Sequence, residues 1–277
     1  ISNSIYSTYR LNLMSYRVCR FLLLTTLLTT FLTTLLIPLF AIAQGNVQLI
    51  TTNESIRLSP QLKVFRETDN PLGLFDVKQK LDEFVWRRSN NPNYGLFDKG
   101  MWLHTTISNV TENKEWVIDV AFTQIEKVDI YVVLNDEVLG HTSHGKIRQN
   151  PKYRFPTLKV VLPYAETVDL FVRVESDRSS LVAPVDIQTY DHHQKINFYD
   201  NLIWGLFYGG LLMLAVYNII LYLGLRENSL LAYVGYIFSV LLWQFVWGGH
   251  LHLLMPSSIT MWVAPHTDLI YVIVGIS

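Results

Sequence analysis

His144, Arg148, Tyr153 and Arg154 fall in one short stretch, bounded by Gly140 and Gly145 on one side and Pro156 on the other. An imidazole, two guanidinium groups and a phenol ring in a turn-rich segment suit recognition of a sugar or a carboxylated small molecule. The rings stack on the ligand and the cations donate a few fixed hydrogen bonds. The same residues also suit a solvated loop whose long side chains snorkel. The other histidines offer less. His250 and His252 are two apart, which on a helix turns them about 200° from one another. His192 and His193 are adjacent and diverge as well. His141 has His144 close by in sequence but no third ligand. No metal site is therefore expected. Cys19 is the lone cysteine, so a disulfide within the chain is excluded. No nucleophile triad, paired-carboxylate motif or phosphate-binding glycine loop stands out. Catalytic residues and a cofactor are accordingly not expected.

A second set of chemistry-bearing residues lies in apolar sequence. Asn218 sits within one long uncharged run and Asp268 within another. In hydrocarbon each must find a polar partner, so both are expected to face the interior of a helix bundle. A carboxylate in such a place often serves function; an amide is more often structural. Gly205 and Gly209 form a small-xxx-small face that lets two helices approach closely. Packing within one bundle is the plain use of that face, and a homodimer seam is the alternative.

The elements that carry these residues follow from composition. Half of the 277 residues are hydrophobic and the formal net charge is −1. A near-neutral chain lacks the basic footprint of a nucleic-acid partner. Met14 to Arg20 is a short basic region, Phe21 to Phe40 is apolar, and Ala41-Ile42-Ala43 has the small-x-small form of a cleavage site. Residues 1–43 are thus expected to be upstream sequence and a secretion signal, with an uncleaved anchor as the rival. Residues 44–200 are then exported, and residues 201–277 hold spans at Leu202–Leu225 and Leu230–Leu254 and a third starting near Ile259. Export of residues 44–200 sends the first span inward and places Arg226 on the cytoplasmic side, as the positive-inside rule prefers. The lipid bilayer is the first partner this arrangement requires.

Within residues 44–200 the hydrophobic period is two. Trp116, Ile118, Val120 and Phe122 alternate, as do Val128, Ile130, Val132 and Leu134 before the turn Asn135-Asp136. Leu158, Val160 and Leu162 repeat the pattern, and so do Val168, Leu170, Val172 and Val174. Met101 to Ile107 is a further strand. Such strands predict antiparallel sheets, each with one wet face, hence an all-β sandwich followed by an α-helical membrane bundle. One helix is expected near Asp76, capped by that residue, with Val77, Leu81 and Phe84 on one side. Trp102 and Trp116 are expected in the core.

At this point the residues carry a resemblance. Arg57-Leu58, Phe65-Arg66-Glu67, Asp69-Asn70-Pro71, Gly100-Met101-Trp102-Leu103-His104, Asn109, Trp116, Val128-Asp129-Ile130-Tyr131 and Phe171-Val172-Arg173-Val174 resemble the type 2 extracellular sensor domain of the bacterial seven-transmembrane receptors with diverse intracellular signalling modules. The run Gly205 to Gly210, then Tyr217-Asn218, then Leu225-Arg226-Glu227-Asn228 to Tyr233 is similar to the start of the seven-helix block of that family. The resemblance implies a jelly-roll sandwich likened to carbohydrate-binding modules, in the periplasm of a multi-pass inner-membrane receptor. It implies a small-molecule or carbohydrate ligand, and an output module (histidine kinase, diguanylate cyclase or phosphatase) outside this sequence. This chain itself is then expected to have no enzymatic activity. An envelope transporter or channel subunit with an exported binding domain is the competing reading; it needs polar residues along the spans, and only Asn218 and Asp268 are offered.

Overall fold

The computed structural model describes residues 46–51, 53–68, 70–86, 92–146, 153–176, 180–263 and 266. The expected leader, residues 1–43, lies outside them, as do Arg148 and Asp268. The strands are β1 (Asn46–Leu49), β2 (Ser55–Arg57), β3 (Lys63–Arg66), β4 (Val85–Trp86), β5 (Phe97–Asn109), β6 (Glu115–Val120), β7 (Lys127–Leu134), β8 (Glu137–His144), β9 (Thr157–Val161), β10 (Thr167–Ser176) and β11 (Val185–Thr189). They form two sheets. The larger runs β4-β3-β5-β10-β7-β8, with β1 also joined to β5; the smaller runs β2-β11-β6-β9. The pairs are antiparallel except β1 with β5, which is parallel with Val47 opposite Ile107.

The period-two pattern explains the sandwich. Ile130 and Val132 of β7, Leu170 and Val172 of β10, and Met101 and Leu103 of β5 face inward. They meet Trp116 and Ile118 of β6, Leu158 of β9 and Ile187 of β11. Burying each large apolar side chain is worth about 1.5–3 kcal/mol, so this central layer is the main source of the fold's stability. Asn135 and Asp136 both have positive φ, 46° and 71°. That is the geometry of a type I′ turn, whose twist matches the strands β7 and β8 it joins.

The expectation of one wet face per sheet fails for the larger sheet. Its far side carries Phe65, Trp102, Val133 and Phe171, and these pack with Leu74, Val77 and Phe84 into a second apolar cluster. The cover comes from the segment between β3 and β4. It contains a short helix, Leu74–Lys78, and a 3-10 turn, Leu81–Glu83. Asp76 is not the cap residue; it occupies the third helical position and accepts a hydrogen bond from the N–H of Gly73 at 3.1 Å.

Some of the residues that carry the family resemblance, Phe65, Glu67, Trp102, His104, Phe171 and Arg173, meet on this covered side. Glu67, 4% exposed, accepts hydrogen bonds at Oε1 from Trp102 Nε1 (2.7 Å) and Arg173 Nε (2.8 Å), and at Oε2 from Arg173 Nη2 (2.7 Å). The backbone N–H of Leu72 adds a fourth at 3.2 Å. Hydrogen bonds between a carboxylate and a guanidinium are among the stronger ones, and burial makes the loss of either partner costly. Trp102 stands opposite Phe65 in β3 and opposite Arg173 in β10, so the clamp ties three strands. Gly100 is required for closeness: a Cβ there would lie 2.0 Å from Glu67 Oε2 and 2.5 Å from Arg173 Nη2. His104 bonds Asp169 at 2.8 Å and packs on Phe171. These motifs are architecture.

Two long helices follow. The first, Tyr190–Leu225, has 36 residues. At 1.5 Å per residue it is about 54 Å long, well beyond a hydrocarbon core of about 30 Å. It starts ahead of the expected Leu202, so its first turns stand clear of the apolar run. Arg226, with φ 56°, ends it, and the second helix spans Asn228–Trp247. That helix stops short of the expected Leu254, because Gly249 turns the chain at φ 75°. Short helices at Leu251–Leu254 and Ser257–Val263 follow. The two long helices pack together, with Ala215 and Asn218 of the first and Val234 and Ile237 of the second buried.

Candidate functional site at the joint between sandwich and helices

Strand β11 passes into the first long helix with no linker. Thr189 is both the last strand residue and the helix cap, its Oγ1 accepting from the N–H of His192 at 3.3 Å. Asp191 in the first turn complements the positive end of the helix dipole. One face of this helix then meets the sandwich in sequence: His193, Asn197, Asp200, Trp204 and Tyr208, spaced four, three, four and four apart. That spacing lays them along a single stripe.

The top of the stripe is a chain of hydrogen bonds. Gln188 Nε2 of β11 donates to Asp119 Oδ2 of β6 at 2.8 Å and lies 3.1 Å from His193 Nδ1. His193 Nε2 is 2.7 Å from Asn197 Nδ2 one turn on. Asp119, Gln188 and His193 are all buried.

Arg154 occupies the middle. Its Nη1 pairs with Asp200 Oδ2 at 2.7 Å and lies 3.4 Å from His250 Nε2. The guanidinium stacks over Phe155, 4.3 Å from the ring centre, with Trp204 beyond it at 5.7 Å. Burial lowers the Arg154 pKa, and Asp200 opposes that fall; the group remains a cation at any physiological pH. Because a guanidinium only donates, His250 Nε2 must accept. Its Nδ1, 3.1 Å from the Tyr208 hydroxyl, then carries the proton in the neutral ring. His250 also packs against Trp204 at 5.1 Å. Arg154 thereby reaches both helices at once.

The end of the second helix is held separately. Thr123 Oγ1 and Gln124 Nε2, in the loop after β6, both donate to the backbone carbonyl of Trp247, at 2.8 and 2.7 Å. A helix C-terminus leaves such carbonyls without internal partners, and the sandwich supplies the missing donors. Gly249 permits the approach, since a Cβ there would sit 2.7 Å from Thr123 Cγ2.

The sequence-predicted residues distribute as follows. His144 is buried and staples its own loop: Nδ1 accepts from the Gly145 N–H at 2.7 Å and Nε2 lies 3.2 Å from the Tyr153 carbonyl. The Tyr153 ring leans on His193 at 6.0 Å. The structure thus brings His144, Tyr153 and Arg154 together, and directs that segment at the membrane helices. Asn218 donates to the Leu214 carbonyl one turn back, at 2.8 Å. Gly205 and Gly209 have no atom within 4 Å of a built Cβ among the described residues, so the pair of long helices does not pack on them. The described residues contain no group of three metal-ligating side chains. His193, Asn197 and Asp200 of the stripe lie ahead of the expected helix start at Leu202, because the helix begins at Tyr190; their helical spacing is the signal in the sequence.

Comparison with known families agrees with this division. Residues 59–189 match the family described as 7TMR-DISM extracellular 2, and residues 200–277 match 7TM diverse intracellular signalling. No curated protein matches significantly. Among solved structures, a GH31 alpha-xylosidase from Xanthomonas citri is similar at 14% identity, over 38% of this chain and 14% of the enzyme, with a TM-score of 0.24. A likeness that slight carries no argument.

Proposed function

We propose a sensory role for this chain, which belongs to the family of seven-transmembrane receptors with diverse intracellular signalling modules. The chain is a membrane receptor with an extracellular sensor domain and a transmembrane region. The sandwich binds a small molecule, with a carbohydrate-like compound as one class, and the bound state alters the packing of the helices. The helices pass that change to an output module, of which kinase, cyclase and phosphatase types are the candidates. The location is a bacterial inner membrane with residues 44–200 in the periplasm. Leu206, Met213 and Leu223, each more than 60% exposed on the first long helix, are suited to contact lipid.

The observation that carries this reading is the Arg154 joint. One loop residue of the sandwich pairs with Asp200 of the first helix and approaches His250 at the end of the second. A ligand can drive such a change only by binding two packing states unequally, and a contact shared by both helices is where that inequality would be felt. The orientation is tested by alkaline phosphatase fusions. A fusion in the Tyr164 turn should be active and one at Glu227 silent; the reverse pattern overturns the topology.

A further inference from the structure

Two buried side-chain atoms at the joint have no hydrogen-bond partner among the described residues: Asp119 Oδ1 and Arg154 Nε. Both residues line one cleft of about 580 Å³ between the smaller sheet and the first turns of the long helix. One atom is an acceptor and the other a donor. Buried polar atoms are otherwise almost always paired, so two orphans on residues that line one cleft mark a place where a ligand's groups fit.

The charges of the cleft choose the ligand. Arg57 pairs with Asp186 at 3.1 Å and Arg154 with Asp200 at 2.7 Å. Asp119 is left with the neutral amide of Gln188 and, at 3.7 Å, the ring of His193. Its side chain is only 9% exposed. Three carboxylates therefore face two guanidinium groups, and Asp119 is the one without a guanidinium partner. The burial-driven rise of the Asp186 pKa, to which the Asp119 charge adds, reports the same crowding of negative groups. A metal ion fits poorly, since no trio of ligating side chains is present among the described residues. A ligand with an ammonium group fits well, because a charge-assisted N–H bond to a buried carboxylate is among the stronger hydrogen bonds.

We propose that this cleft binds a small amino alcohol, its ammonium group on Asp119 Oδ1 and a hydroxyl oxygen on Arg154 Nε. The inference rests on the receptor reading above and gives it a ligand class. Asp119 lies on β6, and Gln188 links it to His193 of the helix, so the ligand bridges sheet and helix directly.

The test uses the chain in lipid nanodiscs, with glucosamine and ethanolamine as probes and their N-acetyl forms as controls. Acetylation keeps the oxygens and removes the charge. The amines should bind at least about tenfold tighter than the acetylated forms, and Asp119→Asn should remove that preference. Ala121→Phe, which adds bulk at a residue lining the cleft, should block binding while the melting temperature is held. Equal binding of charged and acetylated probes, binding that survives both substitutions, or no amine binding would overturn the proposal. Hydrogen exchange of residues 190–204 separates this from the receptor reading. Amine binding without altered exchange there keeps the site and sinks the coupling. Altered exchange in Arg154→Ala, with no amine bound by the natural chain, does the opposite.

Discussion

Arg154 in the loop before β9 and Asp200, about three turns into the first long helix, are held 2.7 Å apart. They are the one ion pair among the described residues that ties a sandwich loop to the apolar end of that helix. Arg154 also stacks on Trp204 and approaches His250. The pair is partly buried, 15% and 32% exposed at the side chains. It lies between the surface case, worth about 0.2–1 kcal/mol, and the buried case, where removing one partner costs about 3–5 kcal/mol. A double-mutant cycle of Arg154→Ala and Asp200→Ala, read as melting temperature in detergent, should give a coupling of about 1–2 kcal/mol. A coupling near zero would mean that the pair does not hold the joint.

The Glu67 clamp should be far less tolerant. Gly100→Ala forces a methyl group into the Glu67 carboxylate and the Arg173 guanidinium. Arg173→Met leaves Glu67 as a buried charge with two fewer donors. Each should destabilise the sandwich by about 3–5 kcal/mol. Trp102→Phe loses one hydrogen bond to a charged group and should cost about 1.5–3 kcal/mol. Chemical denaturation followed by tryptophan fluorescence and circular dichroism checks all three.

Acid should weaken the same region. Burial pushes the Glu175 carboxylate up, but hydrogen bonds from Lys127 and Arg173 outweigh it, so the pKa lies below the ordinary range. A carboxylate lowered on folding contributes stability that is present above the unfolded value of about 4.3 and is lost as pH falls through the folded value. Asp186 has the opposite sign, because burial first of all raises it despite Arg57. The melting temperature should therefore fall below about pH 4, and Glu175→Gln should flatten that limb. An unchanged acid limb in the variant would show that another group controls it.

Gly249→Ala tests the second contact. The residue needs φ 75° and its Cβ would meet Thr123. A left-handed residue with a side chain costs about 1–2 kcal/mol, and the clash adds to it. Labelling of a cysteine placed at Leu254 should rise in the variant, since the Thr123 and Gln124 bonds to Trp247 would loosen. Unchanged labelling would show that this end is held by other contacts.

The sandwich was legible because its core residues alternate. Val128-Asp129-Ile130-Tyr131-Val132 reads the same way in sequence and in the sheet. The covered far side was not legible, since Met101-Trp102-Leu103 is apolar on both faces and nothing local says which of them water reaches. The joint was hidden by a break in composition. Asp191, Lys195 and Asp200 make the start of the long helix look like part of the exported domain, yet Thr189 caps it and hydrogen bonding carries it unbroken to Leu225. His144 and Arg154 were picked out as chemically able, but only tertiary structure shows that one staples a loop and the other faces the membrane helices. Arg148 and Asp268 lie outside the described residues and stay as sequence expectations.

Hydrogen exchange of the chain in lipid nanodiscs, comparing the natural sequence with Arg154→Ala, tests the central claim most directly. The account predicts faster exchange across residues 190–204 and around 244–250, with β7 and β10 still protected. A change confined to residues 153–156, with both helix ends untouched, would contradict it.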